Sequence, residues 1–157
     1  MKNLFTKLVN TLKEKRLTIS CAESCTGGLI AKYITDISGA SSVFNGGVVS
    51  YVNQVKMDVL GVSSSTIDSY TEVSYECAKE MAFGVKKLLS TDIGISTTGF
   101  AGPGGGTDKD PVGTVYVGIA IGDSCESLRL SLGCNLSREE IRDMACYKLI
   151  SLLLEKI

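Results

Sequence analysis

No histidine occurs anywhere in the 157-residue chain. That excludes Ser-His-Asp and Cys-His catalysis within one chain and removes the commonest transition-metal ligand. No Cys-x-x-Cys pair takes its place, so no metal centre is expected. Acid–base chemistry near neutral pH must come from lysine, tyrosine, carboxylate or thiol. An excess of charge is lacking too: 16 basic and 17 acidic residues leave a formal net charge of -1. This is not the electrostatic footprint of a nucleic-acid or membrane binder, although a small anion held by two or three local groups remains allowed. No apolar run approaches the roughly 20 residues of a spanning helix. Met1-Lys2-Asn3-Leu4-Phe5 enters an amphipathic pattern without the apolar core of a signal peptide. The expectation is a cytoplasmic chain with no membrane association. Its six cysteines (Cys21, Cys25, Cys77, Cys125, Cys134 and Cys146) are then expected as reduced thiols, with Cys77 and Cys146 serving as small buried hydrophobes on helix faces.

What is present suits one globular domain over residues 1–157. Hydrophobic residues make up 44% and charged residues 21%, and the length is enough to bury a core. Leu4, Phe5, Leu8, Val9 and Leu12 recur at helical spacing and predict a first helix ending near Arg16. Leu17 to Cys21 reads as a short buried strand. Gly28 to Ile37 reads as a helix closed by Gly39. Gly46 to Val52 predicts a strand, and Val55 to Leu60 a short helix stopped by Gly61. Val73, Cys77, Met81, Val85 and Leu88 mark a long helix. Ile93 to Thr98 is a strand running into a glycine-rich loop, Gly99 to Gly113. Thr114 to Ile121 and Glu126 to Leu132 flank Gly122-Asp123-Ser124 as an antiparallel hairpin. A capping box, Ser137 with Glu140, opens a final helix bearing Ile141, Ala145, Leu149, Leu152 and Leu153. Helices alternating with strands imply a three-layer α/β/α sandwich on a mixed, mainly parallel sheet of about five strands.

Ser24 stands where the first strand gives way to a helix, with Gly27 and Gly28 close behind. Such a turn exposes a side chain at the carboxyl edge of a sheet and aims free backbone N–H groups at a ligand. A serine there can attack a carbonyl while those N–H groups hold the oxyanion. The same spacing equally suits a plain helix cap by Ser24 or Thr26, and it is not a Gly-x-Ser-x-Gly elbow. Without histidine, the base for such a serine is a lysine with a lowered pKa. Lys56, at a strand-to-helix junction, is a candidate, with Tyr51 able to relay a proton or hold it; a core tyrosine and a surface lysine fit the spacing as well. The loop from Gly99 to Thr107 lacks the Gly-Lys-Ser/Thr ending of a Walker loop, and Thr107 replaces the third glycine of a dinucleotide fingerprint. An anion cradle and an ordinary flexible loop both remain open. Arg142, in the last helix, could reach an anion or simply face solvent.

Four separated stretches resemble the CinA carboxy-terminal domain family, whose characterised enzymes are nicotinamide-nucleotide amidohydrolases. They are Ala22-Glu23-Ser24-Cys25-Thr26-Gly27-Gly28; Ser38-Gly39-Ala40-Ser41-Ser42-Val43-Phe44 with Gly47-Val48-Val49-Ser50-Tyr51; Lys56 with Leu60-Gly61-Val62; and Thr98-Gly99-Phe100-Ala101-Gly102-Pro103 through Gly105-Gly106 to Pro111-Val112-Gly113-Thr114-Val115. Their order and spacing cover essentially the whole chain. The resemblance implies a Ser/Lys amidohydrolase that converts nicotinamide mononucleotide and water to nicotinic acid mononucleotide and ammonia, with no metal or organic cofactor. It assigns Ser24 as nucleophile, Lys56 as general base and Tyr51 as the tyrosine beside them. Cys25, Thr26, Gly27, Gly28, Thr98, Gly99, Gly102 and Gly105 are implied to bind substrate, and Arg142 to meet its phosphate. It further implies an α/β/α fold, a homo-oligomer of two or more copies, and a stand-alone form without the amino-terminal domain of many relatives. Phe100 departs from the family's Gly-Ile-Ala-Gly-Pro, Thr71-Glu72 from its Gly-x-Val-Ser, and Asn135-Leu136-Ser137-Arg138 from its Gly-Asp-Arg.

Three other readings compete. One is a non-catalytic nucleotide-binding or regulatory domain of the same fold. A Tyr/Lys oxidoreductase is rejected, because that chemistry wants Tyr-x-x-x-Lys on one helical face and Tyr51 and Lys56 are five apart across a strand end. A thiol enzyme would use Cys25, whose place at a helix start could lower its pKa.

Overall fold

The computed structural model describes residues 1–157. Five strands form one sheet in the order β2-β1-β3-β4-β5. They are β1 (Ile19–Glu23), β2 (Phe44–Val49), β3 (Ile93–Gly99), β4 (Thr114–Ile121) and β5 (Ser124–Ser131). β1 runs parallel to both β2 and β3, while β3–β4 and β4–β5 are antiparallel. The sheet is mixed, as expected, but its pairings divide evenly rather than being mainly parallel. The hairpin after β3 reverses the chain direction for the rest of the sheet.

Two helical layers cover the sheet. On one face α1 (Lys2–Lys15), α2 (Leu29–Thr35) and α6 (Arg138–Leu154) bury Phe5, Leu8, Ile30, Ile34, Ala145 and Leu149 against Ile19, Ile95 and Val117. On the other face α3 (Asn53–Leu60), α4 (Ser64–Tyr70) and α5 (Tyr75–Leu88) bring Leu60, Cys77, Met81 and Val85 onto Ala22. This is the three-layer sandwich. No helix is long and apolar enough to cross a membrane.

The sequence pattern did not predict α4. Its Ser-Ser-Thr-Ile-Asp-Ser-Tyr run carries a single aliphatic residue, so no apolar period announces it. It is held instead by polar bonds: Ser63 Oγ accepts the Thr66 N–H at 3.1 Å, and Thr66 Oγ1 donates to Glu80 of α5 at 2.7 Å. The second strand ends at Val49, not Val52, which leaves Tyr51 outside the sheet and 60% exposed.

The path of the chain sets where a site can form. From β1 it crosses through α2 on one face to β2, then returns through α3–α5 on the other face to β3, on the far side of β1. Diverging crossovers of this kind leave a crevice at the carboxyl ends of the parallel strands. Glu23 pairs in register with both Val49 and Thr97, so the next residues of the three strands, Ser24, Ser50 and Thr98, lie side by side at that edge.

The helix bearing Lys56 is seated by a close approach. A Cβ on Gly84 of α5 would stand 1.9 Å from the Leu60 carbonyl oxygen. Gly84→Ala is therefore expected to lower unfolding free energy by about 1–3 kcal/mol through overpacking, read from urea denaturation. An unchanged midpoint would mean that α3 and α5 part at no cost.

Candidate active site

Ser24 leaves the buried β1 with its N–H bonded to the Thr97 carbonyl at 3.0 Å. Lys56 reaches it from the first turns of α3. Along that helix Lys56 and Leu60 form the buried face, four residues apart and hence on one side. Leu60 packs into the apolar layer and carries Lys56 in with it. The lysine is 1% exposed, and its Nζ lies 3.2 Å from Ser24 Oγ and 2.8 Å from the Ser50 carbonyl oxygen. It makes no ion pair. Desolvation by burial holds its pKa below the ordinary lysine value.

The Ser50 carbonyl can only accept, so it fixes one N–H of Lys56. In the neutral amine this leaves the lone pair free to take the hydroxyl proton of Ser24. The arrangement is a serine hydroxyl with an adjacent desolvated amine, a pairing that can activate a serine for attack. It lines a cleft of about 230 Å³ together with Cys25, Tyr51, Thr98, Gly99 and Gly102.

Not every residue singled out in the sequence reaches this cleft. Gly105 lines an adjoining cleft of about 560 Å³ that meets the first at Gly104 and Arg138. Thr26, Gly27, Gly28 and Arg142 line neither. Thr26 is fully buried, and its hydroxyl donates to Glu23 Oε2 at 2.6 Å. Gly27 N–H closes the Ser24 turn on the Ser24 carbonyl at 3.1 Å, and Gly28 N–H donates to Glu23 at 3.1 Å. Both glycine donors are thus engaged, whereas the Cys25 and Thr26 N–H groups have no partner in the chain. Of the four, only Cys25 both keeps a free N–H and lines the cleft, which narrows the Cys25 to Gly28 stretch of the sequence reading to one donor for an oxyanion. Arg142 sits behind the turn, where one guanidinium nitrogen donates to the Thr26 carbonyl at 2.8 Å.

Arg138 faces the cleft instead. It donates to the Gly102 carbonyl at 2.7 Å and to the Tyr51 hydroxyl at 2.9 Å, bridging the two clefts. The capping box fixes Ser137 as N-cap, which makes Arg138 the first residue of α6, but no sequence pattern marked its direction toward the cleft. Tyr51 hydrogen-bonds to Arg138 and to neither Ser24 nor Lys56, so the direct proton relay through its hydroxyl is not present. Asn53 and Glu72 also line the cleft, and no sequence pattern marked them.

The glycine loop is not slack. Asp110 is 5% exposed and accepts from the Tyr116 hydroxyl at 2.8 Å and Arg129 Nε at 3.1 Å. Those two side chains stand opposite one another on β4 and β5. Thr107 N–H also donates to the Asp110 carbonyl at 2.9 Å. The loop is stapled to the antiparallel half of the sheet, and its start closes one wall of the cleft. Cys25 is 6% exposed, and burial pushes its thiol up to about 12. A thiol that stays protonated at neutral pH is a poor nucleophile, which disfavours the thiol-enzyme reading.

This geometry can be set beside known proteins. The model of the CinA C-terminal domain matches residues 1–157. A CinA-like protein of Rippkaea orientalis (strain PCC 8801 / RF-1) is 44% identical over 149 residues, 94% of this chain and 36% of the relative. A CinA-like protein of Leptospira borgpetersenii serovar Hardjo-bovis (strain L550) is 54% identical over 117 residues, 74% of this chain and 28% of the relative. The chain spans about a third of the length of the curated relatives it matches. Among solved structures, the competence/damage inducible protein CihA from Agrobacterium tumefaciens superposes with a TM-score of 0.94 at 34% identity, covering 98% of this chain and 93% of that one. A CinA superfamily protein from Escherichia coli gives a TM-score of 0.94 at 30% identity, with 99% and 90% covered. Motif order, whole-chain match and superposition agree: the chain belongs to the CinA C-terminal domain family.

Proposed function

We propose that the chain is a serine amidohydrolase that hydrolyses the carboxamide of nicotinamide mononucleotide to nicotinic acid mononucleotide and ammonia. The observation that carries the reading is the buried, unpaired Lys56 amine 3.2 Å from Ser24 Oγ. Neutral Lys56 takes the hydroxyl proton as Ser24 Oγ attacks the carboxamide carbon. The Cys25 N–H receives the oxyanion; loss of such a donor typically costs about 3 kcal/mol. Protonated Lys56 returns the proton to the departing nitrogen, ammonia leaves, and water hydrolyses the acyl-enzyme by the reverse sequence. The reaction needs no metal or organic cofactor.

In this reading Arg138, rather than Arg142, meets the phosphate; its place on the lining of both clefts supports that choice. Arg138→Met is expected to raise KM for nicotinamide mononucleotide by about tenfold or more, the loss of one charge-assisted hydrogen bond, with a smaller effect on kcat. A larger effect on kcat than on KM would remove Arg138 from substrate binding. Association into a homo-oligomer belongs to the same reading and is checked by light scattering.

Ammonia release from nicotinamide mononucleotide, measured beside a Ser24→Ala control, tests the activity. Release above the control supports it. Binding of the nucleotide with no release above the control would leave a non-catalytic nucleotide-binding domain.

A further inference from the structure

Glu23 is a carboxylate 1% exposed with no cation paired to it. It stands immediately before Ser24, and its oxygens collect donors from the segment that follows. Oε2 accepts from Thr26 Oγ1 at 2.6 Å, Gly28 N–H at 3.1 Å and Ile30 N–H at 3.0 Å. Oε1 accepts from Ala31 N–H at 2.9 Å. The N-cap residue of α2, Gly28, has no side chain to cap with, and Glu23 satisfies those orphan N–H groups in its place. Negative charge at a helix N-terminus is also the favourable polarity.

The bonds reach further than a cap. Thr26 has one hydroxyl proton, and Glu23 takes it, so the 2.7 Å contact between Thr26 and Thr97 has Thr97 donating. Strand β3, the Ser24 turn and the start of α2 are thereby tied to one buried group. Arg142 holds the same turn from its carbonyl side at Thr26. With the Gly28 N–H drawn to Glu23 and the Gly27 N–H closing the turn, Cys25 is the residue of the turn that both keeps a free N–H and lines the cleft.

We infer that Glu23 is the positioning residue of the nucleophile turn. Its carboxylate sets the angle at which Ser24 meets Lys56 and selects which backbone N–H groups stay free. The inference rests on the reading of Ser24 as nucleophile, and the test separates the two. Glu23→Gln keeps shape but turns an NH2 toward at least one backbone donor, leaving an N–H unpaired. Thr26→Val removes the hydroxyl that joins Glu23 to Thr97 and keeps the three backbone donors to Glu23.

Both variants and the wild type are treated with an alkyl fluorophosphonate, which needs no natural substrate. Ser24 Oγ bonds to phosphorus, fluoride leaves, and the hydroxyl proton passes to Lys56. For Glu23→Gln the maximal labelling rate is expected to fall about 100-fold, as for a misplacement of the order of 1 Å. The probe's half-saturation concentration and the pH midpoint of labelling should stay at the wild-type values, and Thr26→Val should fall in between. Labelling of Glu23→Gln at the wild-type rate would overturn the inference, as would a loss confined to half-saturation or a displaced pH midpoint. If Glu23→Gln does not fold, Thr26→Val is judged by the same three quantities. A wild type that resists the probe defeats the nucleophile reading and Glu23 with it. A labelled wild type beside an equally labelled variant defeats Glu23 alone.

Discussion

Replacing Lys56 with methionine is expected to lower kcat for carboxamide hydrolysis by about 10³-fold, within the range for a positioned general base. Methionine keeps an unbranched apolar stem against α5 and removes only the amine. Ser24 then has no other base within hydrogen-bond reach, because Tyr51 is turned to Arg138. The wild-type rate should rise with pH as Lys56 loses its proton, with a midpoint below the ordinary lysine value of about 10.4, since desolvation depresses it. The same depression has a thermodynamic signature. Between the folded and unfolded pKa values the unfolded chain binds the extra proton, so stability of the wild type rises with pH across that window. Methionine does not titrate. The Tm of Lys56→Met relative to wild type should therefore be highest below the folded pKa and decline as pH climbs toward about 10. Thermal melts at stepped pH check this. A difference that stays flat would mean that burial does not depress the amine.

Ser24→Ala should abolish turnover, with a loss of at least about 10⁴-fold, as when the nucleophile of a coupled catalytic pair is removed. Cys25→Ala should stay within about threefold of wild type, because a protonated thiol neither attacks nor stabilises charge well. The contrast matters because the two residues are adjacent. Burial that raises the Cys25 thiol to about 12 also lowers the Lys56 amine. One desolvated environment thus disfavours the thiolate of Cys25 and favours the neutral amine of Lys56, the pairing that the proposed mechanism requires. Loss of ammonia release in Cys25→Ala with retention in Ser24→Ala would reverse the assignment. Calorimetric binding of nicotinamide mononucleotide to Ser24→Ala separates lost chemistry from lost binding.

Much of the site was legible in the sequence because its parts fall at strand ends. Ser24, Lys56 and Thr98 each follow a recognisable apolar run, and the Gly99 to Gly113 loop is plain from composition. What failed was direction. Arg138 and Arg142 are one turn apart on α6, and nothing in their spacing tells which points over the cleft and which braces the back of the Ser24 turn. Thr26, Gly27 and Gly28 looked like ligand contacts because a glycine-rich helix start usually offers free N–H groups. Here Glu23, five residues before Gly28, had already claimed most of them. That contact is invisible to spacing, since it depends on a side chain folding forward over its own turn.

The sequence by itself determined the chemistry that was available and the layers that hold it. The absence of histidine left lysine as the candidate base for a serine, and hydrophobic periods of 3.6 residues for helices with short apolar runs for strands placed the elements closely enough to imply the sandwich. Tertiary structure alone decided which lysine is buried beside the serine. Burial of Lys56 depends on Leu60 one turn later docking beside Gly84 of α5, a contact between segments far apart in the chain. The sheet's direction was decided the same way, by the pairing of β3 with β4. Local propensity fixes a residue's place along its element. Desolvation and hydrogen-bond partnership belong to the surroundings, and those exist only once distant segments have packed.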